Sequence, residues 1–327
     1  MKKRCFYLLL SSLIAMNFFA TLCMAEKPFP SKPVYVFVGF SPGGGTDIPA
    51  RALASVAPEF INNQPLIVVT KTGAGGTIAA KHVVDSKPDG YNLLMGFSGS
   101  MIFKYMMGTK VVNPWNDLKI IANVSGGVGA LAVPIDSPFK TAGELVKYAK
   151  EHPGKLRWSH TGRFNDHHAA GAGFLVKNDI KAQDIPFKGG VKARAAVVAK
   201  NVDFGFFSPH LGVGFETKIR FLGLPMEKRH ASFPDIPTFK EQNLDYVPFF
   251  SMLALAAPAD TPDNIIKYLS GAVKKMMEHK AFKKTMQNSH LASVYMDTEE
   301  TKAFAKKSRD EWVSLVEILK KYRDDKK

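Results

Sequence analysis

Two glycine-rich segments are the residues of this chain best suited to chemistry: Phe40-Ser41-Pro42-Gly43-Gly44-Gly45-Thr46-Asp47 and Thr72-Gly73-Ala74-Gly75-Gly76-Thr77. Each follows a short apolar run, Val34 to Val38 or Leu66 to Val69, and each leads into a helical pattern. A strand ending in such a turn leaves backbone N–H groups free beside the positive end of a helix, which suits an anion. Singly, either turn needs its glycines for no more than a positive φ. Two of them early in one chain suggest convergence on one negative group. Neither carries the dinucleotide fingerprint or the Gly-Lys-Ser/Thr ending of a P-loop, so nucleotide binding is not expected.

Other residues invite catalytic or metal readings. Gly96-Phe97-Ser98-Gly99-Ser100 lies at a strand–turn–helix, where a hydrolase would hold its nucleophile. That elbow needs glycine two residues after the serine, and Ser100 stands there. Ser98 is therefore read as a hydrogen-bonding residue, with an exported serine hydrolase using Ser98 as the rival function. His160, His167 and His168 are close in sequence. Neighbouring histidines at a helix start diverge, and no carboxylate completes a recognised spacing. One is expected buried and another exposed, with no metal and no cofactor. Asp47 and Asp166 are each accounted for as helix N-caps. Arg163, in a loop between a strand and a helix, has two open readings. It grips a carboxylate through paired hydrogen bonds, or it is a solvated loop arginine.

The elements that must position these residues alternate along the chain. Strand-like runs at 91–95, 130–134, 155–159, 202–207, 220–224 and 252–257 are separated by helical segments or turns, including a turn at 184–190. The alternation argues for an α/β fold with largely parallel sheets. Thr141 with Glu144, and Asp297 with Glu300, fit capping boxes. No long linker interrupts the pattern, so two domains would be interleaved, with the chain crossing between them twice.

Lys2, Lys3 and Arg4 precede an uncharged stretch from Cys5 to Met24, and Cys23-Met24-Ala25 offers small residues where a signal peptidase reads. A secretory leader cleaved after Ala25 is expected. Both cysteines lie within it, so the mature chain has no disulfide, thiol nucleophile or cysteine-ligated metal. The formal charge of +15 is spread out, with a dense patch in the C-terminal helices that reads as a solvated face. No basic and aromatic stripe suggests nucleic-acid binding.

Several ordered motifs carry a family resemblance. Phe29-Pro30-Ser31-Lys32-Pro33, both glycine segments, Lys87-Pro88-Asp89-Gly90-Tyr91, Phe187-Lys188-Gly189-Gly190, Pro234-Asp235-Ile236-Pro237-Thr238 and Ala257-Pro258-Ala259-Asp260-Thr261-Pro262 closely resemble the tripartite tricarboxylate transporter substrate-binding proteins, or Bug family. The resemblance runs through nearly the whole mature chain. It implies a monomeric periplasmic binding protein of the type II, Venus-flytrap-like architecture. The leader would span 1–25, the first domain 26–126 plus 249–327, and the second domain 127–248, joined by a hinge. It implies a small carboxylate as ligand, and membrane subunits of a tripartite permease or a sensor kinase as partner. The carboxylate would meet Gly44, Gly45, Thr46, Asp47, Ala74 and Gly75, with Phe40 as a wall. Thr161, Gly162, Arg163 and Asn165 would approach from the second domain, with Phe207 and Ser208 at a strand end.

Three departures from the family pattern bear on the ligand. Arg163 and Phe164 stand in a loop that is usually small and polar. Phe207 stands where an acid is frequent, and Phe97 where a hydroxyl is frequent. Together they suggest a flat ligand, an aromatic acid or a diacid, with Arg163 meeting its far end.

Overall fold

The computed structural model describes residues 28–230 and 232–324, and the leader expected over 1–25 lies outside them. The chain builds two mixed sheets. The first holds β1 (Val34–Val38), β2 (Leu66–Thr70), β3 (Asn92–Ser98), β4 (Leu118–Gly127), β10 (Ser251–Pro258) and β11 (Ala292–Met296), in the order β11-β4-β10-β3-β1-β2. The second holds β5 (Ala130–Pro134), β6 (Arg157–His160), β7 (Gln183–Pro186), β8 (Phe204–Phe207) and β9 (Ile219–Gly223), in the order β7-β6-β8-β5-β9.

Each sheet has a parallel part and an antiparallel part, which corrects the expectation of largely parallel sheets. β1 pairs in parallel with β2 and β3, and β6 with β7 and β8. The antiparallel strands carry the crossings. The chain leaves the first sheet along β4 and returns along β10, so these neighbours run in opposite directions. β5 enters the second sheet and β9 leaves it, again antiparallel. β7 occupies residues expected to form a turn. Its sequence, Gln-Asp-Ile-Pro, is polar and ends in proline, which a sheet tolerates at an edge.

Helices cover the faces where the apolar spacing demands it. They are α1 (Asp47–Val56), α2 (Thr77–Val84), α3 (Gly99–Met106), α4 (Ala142–Glu151), α5 (Asp166–Lys177), α6 (Gly190–Val198), α7 (Asp263–Glu278), α8 (Lys280–Asn288), α9 (Thr298–Glu311) and α10 (Val313–Asp324). Both capping boxes form, at Thr141 for α4 and Asp297 for α9. One buried apolar cluster runs through both halves, from Phe97 and Phe103 to Phe174 and Phe206. Trp312 joins it, stacked on Phe249 with ring centroids 4.3 Å apart. None of the described helices is long and apolar enough to cross a membrane.

Parallel pairing has one consequence for function. The turns after β1, β2 and β3 all leave one edge of the first sheet, and those after β6, β7 and β8 leave one edge of the second. Ligands of open α/β sheets bind outside such carboxyl ends.

Candidate functional site

The two edges face each other across a cavity of about 130 Å³. Its walls include Phe40, Gly44, Gly45 and Thr46 after β1, Ser98 after β3, Thr161 and Asn165 after β6, Gly189 after β7 and Ser208 after β8. The crossing segments, Ser125 to Gly129 and Phe249 to Leu253 without Phe250, complete it. Thr46, Ser98, Asn165 and Gly189 are the N-caps of α1, α3, α5 and α6. Four helices therefore begin at one cavity whose described walls contain no lysine or arginine. Each helix start carries roughly half a positive charge, although at α5 the Asp166 and His168 N–H groups are taken by Ser100 and Asn165.

The first glycine loop is tied back by its own aspartate. Asp47 Oδ2 accepts from Gly43 N–H at 2.9 Å and from Arg51 Nε at 2.8 Å. Asp47 is the first helical residue and Thr46 the N-cap, so its carboxylate shapes the loop instead of capping the helix. It is buried and does not line the cavity. Among the described residues, the Gly45 and Thr46 N–H groups have no backbone acceptor.

The second loop packs on the first. A Cβ at Gly39 would stand 2.5 Å from Gly76 Cα, and one at Gly76 would stand 3.2 Å from the Phe40 ring. Ala74 and Gly75 adopt positive φ, 44° and 59°. Their carbonyls accept from Lys104 Nζ at 3.1 and 2.6 Å. Ala74 and Gly75 are absent from the walls of the main cavity. Gly75 lines an adjoining pocket of about 30 Å³ with Gly76, Phe40, Ser98, Ser100 and Lys104.

In the second half, the structure places Gly162, Arg163 and Phe207 away from the cavity. The Arg163 guanidinium is exposed and pairs with Asp184 Oδ2 at 3.1 Å, so it neither faces the cleft nor is merely solvated. Phe207 is fully buried against the cluster of Val197 and Leu211. Phe97 is also fully buried, edge-to-face with Trp115 at 6.3 Å. Strand side chains alternate between faces, so Ser98 and Ser208 reach the cavity while the phenylalanine before each turns into a core. The inference of an aromatic ligand loses its structural basis.

Several cavity residues escaped the sequence reading. Asp166 is the first residue of α5, and its N-cap is Asn165, whose Oδ1 accepts from His168 N–H at 3.3 Å. The Asp166 carboxylate instead accepts from Ser100 Oγ at 2.7 Å and from Ser251 Oγ. Burial raises its pKa, against the pull of those two hydroxyls and of Lys104. His167 Nδ1 and Nε2 contact Thr161 Oγ1 at 3.0 Å and Ser208 Oγ at 2.9 Å. Burial, with like charge from His210 and His160, pushes it down to about 3. A ring held neutral between two hydroxyls, with no carboxylate behind it, is a poor general base. Among the described residues no histidine bonds Ser98, so the hydrolase reading has no geometry. His210 faces Gly45, with Nε2 buried and unpartnered. Burial, then Arg194, lowers its pKa to about 4.

His160, His168 and Asp184 bring three potential metal-ligating atoms within 4.8 Å of one another. His160 is buried and lies 3.5 Å from Asp184, which it holds below the usual carboxylate range, with Arg163 adding to the effect. His160 Nδ1 accepts from Gly162 N–H at 3.3 Å, and His168 Nδ1 from Phe164 N–H at 3.4 Å. Each ring thus has one nitrogen committed to a loop N–H group, and with the Arg163–Asp184 ion pair the cluster reads as a support beneath the 161–165 loop. His160 and His168 are both buried and His167 partly so, where one exposed histidine was expected.

A family profile described as "Tripartite tricarboxylate transporter family receptor" matches residues 48–320. The chain belongs to this family. It is a family of transporter receptors, not of enzymes. A relative from Cupriavidus necator, the "UPF0065 protein in gbd 5'region", is 33% identical over 300 residues, covering 90% of this chain and 89% of the relative. The Bordetella pertussis protein BugT is 25% identical, covering 90% of this chain and 91% of BugT. Among solved structures, the Rhodopseudomonas palustris protein Rpa4515 with adipate superposes with a TM-score of 0.82 at 20% identity, covering 88% of this chain and 97% of that one. MatC from the same organism, with bound malate, superposes with a TM-score of 0.80 at 23% identity, covering 88% of this chain and all of that one. These two show the fold, an α/β architecture that the structure of the periplasmic binding protein BugD shares at a TM-score of 0.78 and 24% identity, covering 90% of this chain and 98% of that one.

Proposed function

We propose that this chain is a periplasmic receptor that captures a small carboxylate between its two sheets and delivers it to a membrane partner. The observation that carries this reading is the meeting of four helix N-termini at one cavity with no lysine or arginine in its described walls. Fixed N–H groups and helix ends there do the work of a counter-charge. Two relatives have been solved with malate and with adipate, which supports a carboxylate as the ligand class. With Phe97 and Phe207 buried, an aliphatic mono- or dicarboxylate fits better than an aromatic acid. Residues 26–126 with 249–327 would move against 127–248 about the two crossings, closing over the ligand. The partner would be a tripartite permease or a sensor kinase.

The test is a thermal-shift and calorimetry panel of C2 to C8 dicarboxylates, matching monocarboxylates, aromatic acids, and amino acids. Mass spectrometry of molecules co-purified with the protein accompanies it. Saturable stabilisation by an aliphatic carboxylate, without turnover, is expected. Preference for neutral solutes or sugars would overturn the reading.

A further inference from the structure

We propose that Lys104 selects the ligand's head group, its ammonium reaching from α3 beneath the second glycine loop to hold one carboxylate in the small pocket beside Phe40, Ser98 and Gly76. The inference rests on the carboxylate-receptor reading and adds a residue and a head-group preference to it.

Four observations lead there. Lys104 is the one cation in the described walls of either cavity. It is 9% exposed, yet its hydrogen-bond partners are two neutral carbonyls, Ala74 O and Gly75 O. Two of its three N–H hydrogens are thereby used, and among the described residues no carboxylate lies within ion-pair distance. A buried charge is normally paired. The pocket of about 30 Å³ has room for roughly two water-sized groups at about 10–15 Å³ each. A planar carboxylate is the smaller anionic head group and suits so small a pocket better than a tetrahedral sulfonate or phosphonate. Finally, a Cβ at Gly75 would collide with Lys104 Nζ, so the glycine is what lets the ammonium reach this position.

Charge is separable from loop support. Burial lowers the amine to about 8, opposed by Asp166, so it is mostly protonated at neutral pH. Above that pH the neutral amine keeps two N–H hydrogens, enough for both carbonyls. Deprotonation therefore removes the charge and leaves the loop held. A bound carboxylate would raise the amine's pKa, so affinity is full below about pH 8 and falls as pH rises through it.

Asp166 is the other titratable group in these walls that bears on Lys104. His167 and His210 are neutral throughout the window used. The experiment is calorimetry from pH 6 to 10 with succinate, adipate, hexanoate and the matching hexanesulfonate. Wild type, Lys104→Met and Asp166→Asn are compared. The expected result is affinity falling about tenfold per pH unit above pH 8 in wild type, and from a lower pH in Asp166→Asn, which lacks the carboxylate that raises the amine's pKa. Hexanesulfonate should bind more weakly than hexanoate, and Lys104→Met should lose about tenfold or more in affinity with a flat profile. If wild type binds a carboxylate with a flat profile, Lys104 is loop support only and the inference falls, whatever Lys104→Met does. Equal binding of sulfonate and carboxylate overturns the head-group assignment. If no carboxylate binds wild type, the receptor reading falls, and this inference with it.

Discussion

Ser100 and Asp166 exchange two hydrogen bonds across the molecule: the Ser100 hydroxyl donates to the carboxylate at 2.7 Å and accepts from the Asp166 N–H at 3.1 Å. The pair ties the start of α3, on the first sheet, to the start of α5, on the second. Ser251, on the return crossing, serves the other carboxylate oxygen. Ser100→Ala leaves a half-buried carboxylate oxygen short of a donor, at up to about 1.5–3 kcal/mol for a bond to a charged group. Urea unfolding should show that loss. Coupling in a cycle with Asp166→Asn should reach at least about 0.5 kcal/mol, and additive effects would mean that the contact does not hold the halves together.

Gly75 tests the second loop without touching the main cavity. Gly75→Ala places a Cβ against Lys104 Nζ and imposes a left-handed φ of 59° on alanine. The backbone strain alone is about 1–2 kcal/mol, and the collision adds to it. Lys104→Ala removes two bonds to the loop carbonyls, and in that background Gly75→Ala should cost only the strain. Melting temperatures of wild type, the two single variants and the double variant decide it. An equal cost of Gly75→Ala in both backgrounds would show that the amine is not pressed against this glycine.

Sequence periodicity and punctuation made the glycine turns, the α/β class and both capping boxes legible, because each depends on neighbours in the chain. What it missed depends on distant ones. β7 is polar and exists because β6 offers it an edge. The Asp166 carboxylate looks like a cap until Ser100 and Ser251 are brought to it from 66 and 85 residues away. Lys104 reads as an ordinary helix lysine until the second loop folds over it. Phe97 and Phe207 were visible as bulk, but their direction is fixed by which face of the strand meets the core. Counting alternately from Ser98 and Ser208 would have turned both inward.

Arg163 pairs with Asp184 outside the cleft. Arg163→Gln should therefore leave carboxylate affinity within about twofold, since the exposed ion pair is worth about 0–1 kcal/mol and touches no cavity wall. Calorimetry with adipate is the measurement. A tenfold loss would place the guanidinium in the ligand's path in the bound state.

Acid should destabilise the protein through His167. Its folded pKa of about 3 lies below the ordinary histidine value near 6.5. Its contribution is complete above pH 6.5 and is lost as pH falls toward 3. Asp166 acts in the opposite sense, because its raised folded pKa makes protonation favour the folded chain. The difference in melting temperature between pH 7.5 and pH 4.5 should shrink in His167→Gln, whose amide can still meet the neighbouring hydroxyls. It should grow in Asp166→Asn. An unchanged difference in His167→Gln would mean that the ring protonates freely in the fold.

His210 gives the sharpest separation of stability from binding. Its Nε2 is buried without a partner beside Gly45, and such an orphan costs about 1–3 kcal/mol. A ligand group entering the cavity next to Gly45 would satisfy it. His210→Phe removes the polar atom and keeps an aromatic ring of similar shape. The unliganded variant should melt at the same temperature as wild type or higher, while affinity for a carboxylate ligand falls about tenfold or more for one lost hydrogen bond to a charged group. Calorimetry beside unliganded melting reads both quantities. A variant that melts lower yet binds as wild type does would mean that His210 is only a packing residue of the wall.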